Sequence, residues 1–259
     1  MLHKRIVEWI KQYAKDNNRK TLIVGISGGI DSSVVSTLCA MTKMKTIAVS
    51  LPLNNTDEQD DLSMDHGDWL ANKFRNVKHE VFNLERTYEK FWLELFNEYG
   101  DEHAFANSKS RLRMTTLHQI AGSTKGLVVG TGNKVEDFGV GFYTKYGDGG
   151  VDISPIADLM KSQVWQLGKD LGIMQEIIDA EPTDGLWEDG RTDKDQLGGL
   201  TYEQLERAMD LDEKGAIAIG SDVELLNKYR QIRKVNLHKM EPIPVFKNDS
   251  TTQTSNSKS

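Results

Sequence analysis

The chain alternates short, wholly apolar runs with longer stretches of helical spacing. Residues 3 to 15 place Ile6, Val7, Trp9, Ile10, Tyr13 and Ala14 at helical intervals and predict an opening amphipathic helix, which "DNNRK" ends. "TLIVGI" (21–26) is a β-branched apolar run of the kind found in buried parallel strands. "DSSVVSTLCAMTK" (31–43) predicts a helix with Asp31 or Ser32 at its start. "KTIAVSLPL" (45–53) predicts a second strand, and residues 56–74 a helix whose acidic first turn suits the helix dipole. "VKHEVFNL" (77–84) is a third strand, followed by helices over 85–98 and 105–121. "GLVVGTG" (126–132) is a fourth strand running into a glycine turn, and two further helices are expected over 160–172 and 201–210. Strands that alternate with helices imply an α/β fold: a doubly wound, mostly parallel sheet flanked by helices on both faces. One domain is expected over 1–246. The polar stretch 247–259 reads as a disordered tail.

Composition narrows the classes without naming one. At 259 residues, with 38% hydrophobic and 27% charged positions, the chain can bury a substantial core. A formal net charge of -7 argues against a general nucleic-acid footprint, though not against a local basic pocket. No apolar run reaches the roughly 18 residues that would span a membrane. Cys39 is the single cysteine, which excludes an internal disulfide and fits a cytoplasmic location. It shares an apolar helix face with Val35 and Leu38 and is expected in the core.

Candidate chemistry lies at the two glycine turns. Ligands of open α/β sheets bind beyond the carboxyl ends of the strands. After the first strand, Gly28 and Gly29 permit a tight turn, and the backbone N–H groups there can cradle phosphate oxygens. The turn has no lysine of the Walker type and no G-x-G-x-x-G. After the fourth strand, "GTGNKVEDFGVGFYTKYGDGGVDISPIADLMK" interleaves carboxylates and lysines in a glycine-rich loop, a pattern that suits Mg²⁺ and phosphates or a merely solvated loop. For Lys161, in a first helical turn, a solvent-facing position is the lesser alternative.

The segment Ser27-Gly28-Gly29-Ile30-Asp31-Ser32 resembles the pyrophosphate loop of the ATP pyrophosphatases. "FYTKYGDGG" (142–150) resembles the signature loop of the ammonia-dependent NAD synthetases. "LPLNNTDEQDD" (51–61), "NSKSRLRM" (107–114), "EPTDGLWEDG" (181–190) and "LHKMEPIPVF" (237–246) match the same pattern in order. The resemblance implies the Rossmann-like ATP pyrophosphatase fold. It also implies amidation of deamido-NAD with ammonia through an acyl adenylate, giving NAD, AMP and pyrophosphate, with ATP as cosubstrate and Mg²⁺ as metal. Under it, Gly25, Ile26, Ser27, Gly28, Gly29, Ile30, Asp31 and Ser32 hold ATP phosphates. Asp31 and Glu136 bind the metal, while Thr131, Lys161 and Thr183 contact ATP; Asp31, Glu136 and Lys161 serve catalysis. Asn107, Arg111, Lys145, Asp152, His238 and Lys239 contact deamido-NAD.

Further expectations come with the resemblance: a homodimer and small-molecule partners, with no nucleic acid or membrane. Phe91, Trp92, Leu95 and Phe96 serve either core or interface. Free ammonia is the expected donor unless a separate glutaminase chain delivers it, since Cys39 lies inside a helix. Residues 184–199 form a mobile lid with Trp187 as anchor. One departure is Ser50, where the family pattern has an arginine beside the adenosine, so no adenine contact is assigned there. Two rivals are a tRNA-modifying or thiolating pyrophosphatase and an ATP sensor without turnover. The acidic charge and single cysteine weigh against the first, and the pairing of Asp31 with Glu136 against the second.

Overall fold

A computed structural model describes residues 1–53, 57–187 and 189–248. Helix α1 (Leu2–Asp16) packs Ile6, Ile10 and Ala14 inward at four-residue intervals. Then come β1 (Thr21–Ile26), α2 (Ile30–Met41), β2 (Lys45–Ser50), α3 (Asp57–Lys73), β3 (Val77–Val81), α4 (Glu85–Tyr99), α5 (Glu102–Thr124) and β4 (Gly126–Val128). The strands form one parallel sheet in the order β3-β2-β1-β4. β1 pairs with β2 from Thr21↔Lys45 to Ile26↔Ser50, and with β4 from Thr21↔Gly126 to Ile23↔Val128.

Alternation along the strands divides the core. Leu22, Val24 and Ile26 join Ile10, Val35 and Leu38 on one face, while Ile23 joins Met114 and Leu117 of α5 on the other. The same split separates Ala48 from Ile47 and Val49 on β2, and Leu127 from Val128 on β4. Such two-sided burial explains why these strands read as continuous apolar runs.

The order of the strands positions the site. From β1 the chain moves out to β2 and β3, then returns to the opposite edge of β1 as β4. Connections therefore leave the carboxyl ends of β1 and β4 in opposite directions, opening the crevice in which such folds bind ligands. Beyond β4, a parallel bridge Val129↔Ile153 continues the pairing, and Val135–Val140 adopt a π-helical stretch. Helices α6 (Lys161–Leu171), α7 (Gln175–Asp179), α8 (Asp193–Gln196), α9 (Tyr202–Glu213) and α10 (Ser221–Met240) complete the described chain. A third apolar cluster unites Val135 and Val140 with Leu205, Met209, Leu226 and Tyr229. α6 closes tightly on α2: a Cβ on Gly168 would sit 2.6 Å from Ile30 Cδ1.

The structure departs from the sequence-based expectations in particular places. The second strand stops at Ser50, and Leu51 and Leu53 turn into the α4–α5 core instead of extending the sheet. β4 is only three residues long, because the chain bends towards Ile153 after Val128. α10 was not predicted: it is densely charged and buries only Leu226 and Tyr229. Trp92 and Leu95 pack against the α4–α5 core, while Phe91 and Phe96 stay about half exposed. Cys39 is fully buried, and burial pushes its thiol well above the ordinary value. Most of the expected tail, 249–259, lies outside the described residues. Among the described residues, no helix is long and apolar enough to cross a membrane.

Candidate active site at the ends of β1 and β4

The turn after β1 has the geometry that suits an anion. Gly28 takes φ +82°, a left-handed conformation that a side chain would strain. Gly29 precedes the first residue of α2 and has no side chain to cap the helix's first-turn N–H groups. Serines fix the turn from behind. Ser32 Oγ accepts from Ser27 N–H at 3.1 Å and donates to the Gly29 carbonyl at 3.0 Å, and Ser33 Oγ donates to the same carbonyl at 2.9 Å. A polar chain supports it further: Ser63 Oγ donates to the Ile26 carbonyl at 2.9 Å and lies 2.8 Å from Ser50 Oγ. Ser50 Oγ is in turn 2.9 Å from His79 Nε2, whose Nδ1 is 3.0 Å from Asp68. Ser50 thus ties β2 to the turn after β1.

At the mouth of this turn, two carboxylates share one cation. Lys161 Nζ donates to Asp31 Oδ2 at 2.5 Å and to Glu136 Oε1 at 2.9 Å. Asp31 comes from the first turn of α2, Glu136 from the π-helical stretch and Lys161 from the first residue of α6. Lys161 is only 3% exposed, so the solvent-facing alternative does not hold. Burial works against its charge, but the two carboxylates outweigh it and raise the ammonium's pKa above the ordinary lysine value. Burial raises Asp31, with Lys161 opposing. Asn133 Nδ2 donates to Asp31 Oδ1 at 3.0 Å, and its Oδ1 accepts from the N–H groups of Val135 and Glu136. One fully buried amide therefore orients both carboxylate-bearing segments.

Two further groups extend this cluster. The Tyr202 hydroxyl donates to Glu136 Oε1 at 2.6 Å and lies 2.7 Å from Asp193 Oδ2. A hydroxyl has one proton, so it donates to one of these two carboxyl oxygens at a time. Burial, aided by the charge of Glu136, pushes the Asp193 carboxyl up to about 7. Asp137 is pushed up to about 8 by burial, followed by the charges of Glu136, Asp148 and Asp31.

A second constellation joins α5, the loop 141–150 and the end of α10. Asn107 Oδ1 accepts from Thr144 Oγ1 at 2.6 Å, and Arg111 Nε donates to the Lys145 carbonyl at 3.2 Å. Lys145 Nζ donates to the His238 carbonyl at 3.1 Å. Lys239 Nζ donates to the carbonyls of Gly141 and Tyr143, both at 2.9 Å, and burial lowers its ammonium below the ordinary value. Ser110 Oγ donates to Asp148 Oδ1 at 2.6 Å and pins the loop to α5. The His238 ring is exposed, 3.1 Å from the Val235 carbonyl.

Residues 2–243 match the family model described as NAD synthase. The chain belongs to the NAD synthase family. The NH(3)-dependent NAD(+) synthetase of Carboxydothermus hydrogenoformans is 36% identical over 240 residues, covering 91% of this chain and 92% of the relative. That of Alkaliphilus metalliredigens is 37% identical over 253 residues, covering 93% and 96%. Among solved structures, NMN synthetase from Francisella tularensis matches with a TM-score of 0.83 and 30% identity, over 95% of this chain and 97% of that one.

Other residues expected to serve this NAD synthase have less exclusive surroundings. Asp152 Oδ2 accepts from the Val128 N–H at 2.8 Å, so its carboxylate is tied to the end of β4 rather than to the α5–α10 constellation. Thr131 is half-buried just past β4. Thr183 Oγ1 donates to the Arg191 carbonyl at 3.2 Å and accepts from Gly185 N–H, holding the ends of a loop together. Sequence reasoning missed Asn133, Tyr202 and Asp193. Asn133 lay within a quoted motif, and its short polar side chain beside Glu136 was an available signal. Tyr202 and Asp193 gave none, since their roles arise from contacts across 66 and 9 residues.

Proposed function

We propose that this NAD synthase amidates the pyridine carboxylate of deamido-NAD with free ammonia, using ATP. The observation that supports this most is the convergence of Asp31 and Glu136 on Lys161 beside an uncapped helix start. A carboxylate oxygen of the substrate attacks the α-phosphorus of ATP, the bond to the β-phosphate oxygen breaks, and pyrophosphate departs. Ammonia then adds to the acyl carbon of the adenylate, loses a proton, and AMP leaves. The turn Gly25–Ser32 holds the β and γ phosphates through its N–H groups. Lys161, released from the carboxylates, moves its charge onto the departing pyrophosphate. Thr131 and Thr183 contact ATP. Arg111, Lys145, Lys239, Asn107, Asp152 and His238 orient the dinucleotide, so that little of the reaction's entropy cost remains at the chemical step.

The donor set fits magnesium. Asp31 and Glu136 offer hard oxygens at a point already arranged for a cation. Magnesium commonly takes one or two carboxylates, with phosphates and water completing its shell. Among the described residues, no group of three or more His, Cys, Asp or Glu side chains is arranged to hold a metal by itself. Bound there, the ion would neutralise charge on the pyrophosphate.

The test is NAD formation with ammonium against glutamine, each with deamido-NAD and ATP. Ammonium alone should suffice; turnover only with glutamine would contradict the reading. The likeness to an NMN synthetase favours a second reading, in which the acceptor is nicotinic acid mononucleotide. Both acceptors present the same pyridine carboxylate and differ only in the adenylate half. Comparing kcat/KM for the two acids decides between them. The chain acts as a cytoplasmic homodimer in this reading, with the half-exposed aromatic face of α4 at Phe91 and Phe96 available for pairing.

A further inference from the structure

Tyr202 has a position that the phosphate and dinucleotide roles leave unexplained. It enters from the first residue of α9, its ring belongs to the third apolar cluster, and only its hydroxyl reaches the carboxylates. On its far side stands Asp193, 5% exposed, on the short helix α8 within the segment 183–199. That segment is seated by specific contacts. Asp193 N–H donates to the Pro182 carbonyl at 3.0 Å, Trp187 Nε1 donates to Gln196 Oε1 at 2.9 Å, and Lys109 Nζ donates to the Leu186 carbonyl at 3.1 Å. The seat is nevertheless incomplete. Asp193 Oδ1, buried in it, has no hydrogen-bond partner among the described residues. Buried polar atoms left unpaired favour states that let water reach them.

The geometry points to Tyr202 and Asp193 as positioning residues: through the Tyr202 hydroxyl, seating of the segment 183–199 sets the orientation of the Glu136 carboxylate. The hydrogen-bond chain Asp193–Tyr202–Glu136 runs from the segment to the shared cation position in two short steps. When the segment lifts, Asp193 leaves and Tyr202 loses the partner opposite Glu136. Among the described residues, Glu136 then keeps only Lys161 as a side-chain donor. The site reaches its working geometry with the segment down, so adenylation is timed to closure and exclusion of water. This inference rests on the reading that Glu136 serves ATP and its metal.

The experiment compares Tyr202→Phe, Asp193→Ala and Asp193→Asn with the wild type, and includes Glu136→Gln as a control on that reading. One arm measures proteolytic cleavage within 184–199 of the ligand-free protein. The other measures kcat, KM for ATP and the magnesium concentration giving half-maximal turnover. Tyr202→Phe keeps the ring and its packing, so its fold is retained. It should raise the cleavage rate severalfold, raise the half-activating magnesium concentration about tenfold and lower kcat, with KM for ATP moving less than threefold. Asp193→Ala should do the same, and Asp193→Asn, which keeps the contact to Tyr202, should stay within threefold of wild type. Wild-type cleavage and magnesium dependence in Tyr202→Phe, with Glu136→Gln inactive, would overturn the coupling. Full turnover by Glu136→Gln would instead overturn the metal-site reading, while the proteolysis arm still decides whether the segment is held through Tyr202.

Discussion

The cluster at the ends of β1 and β4 and the constellation joining α5 to α10 are both polar and both drawn from distant segments, yet they are built on different principles. In the first, charge meets charge out of solvent: Lys161 is 3% exposed, and the side chains of Asp31 and Glu136 are 15% and 16% exposed. In the second, charge meets backbone: Lys145 and Lys239 hold carbonyl oxygens of His238, Gly141 and Tyr143. A buried ion cluster is costly to assemble and becomes destabilising when one member is removed. Lysines on carbonyls at a half-open surface exchange partners at little cost. A pre-organised cluster of the first kind suits charge that develops during a reaction. The second suits a ligand that arrives already charged and takes over the lysines' hydrogen bonds.

The largest effect that would break this contrast is expected at Lys161. Lys161→Met leaves Asp31 and Glu136 facing each other without a cation. Turnover should fall by a factor of about 10² to 10³ or more, and thermal unfolding should lose on the order of 3 kcal/mol. If Lys161→Met melts like the wild type, the triad does not hold the fold. Next in size is Asn133→Ala, which frees Asp31 and uncaps the start of the π-helical stretch. A drop in kcat of about tenfold or more, with KM for deamido-NAD nearly unchanged, would mark it as an aligner of carboxylates.

Lys239→Ala should do the reverse, raising KM for deamido-NAD by about tenfold, the value of one hydrogen bond to a charged group, while kcat changes little. A fall in kcat without a change in KM would merge the two regions into one. The smallest effect concerns pH. The Asp193 carboxyl ionises near 3.8 in the unfolded chain and is raised to about 7 in the fold. The native state keeps it neutral, so its contribution to stability is full below the unfolded value and is lost as pH rises towards 7. The melting temperature of ligand-free Asp193→Asn should therefore gain on that of the wild type between about pH 4 and pH 7. A gap independent of pH would mean that Asp193 is ionised in the fold.

The two regions were also unequally legible in the sequence. β1, its glycine turn and α2 could be read almost residue by residue, because a strand buried on both faces and a turn needing left-handed backbone constrain residue type at each position. Asp31, Glu136 and Lys161 were singled out by motif, and the structure brings their side chains to one point. That Lys161 would be buried was not legible, since first-turn lysines on most helices face water. It is buried because α6 packs against α2 at Gly168, a close approach set by tertiary structure. α10 escaped notice because its two buried residues are too few to mark a helical period against so many charges. Tyr202 reads in sequence as an ordinary aromatic after a capping threonine, and only the fold puts its hydroxyl on Glu136. Ser50 reads as a loss relative to the family pattern, and the structure gives it a place in the polar chain from His79 to the turn after β1.

The most direct measurement is a structure of the protein with magnesium and a non-hydrolysable ATP analogue. The β and γ phosphates should lie against the N–H groups of Gly28 to Ser32, with Lys161 Nζ moved from Asp31 and Glu136 onto a phosphate oxygen. A triphosphate bound elsewhere, with Lys161 still bridging the two carboxylates, would contradict the assignment of this crevice as the site of ATP cleavage.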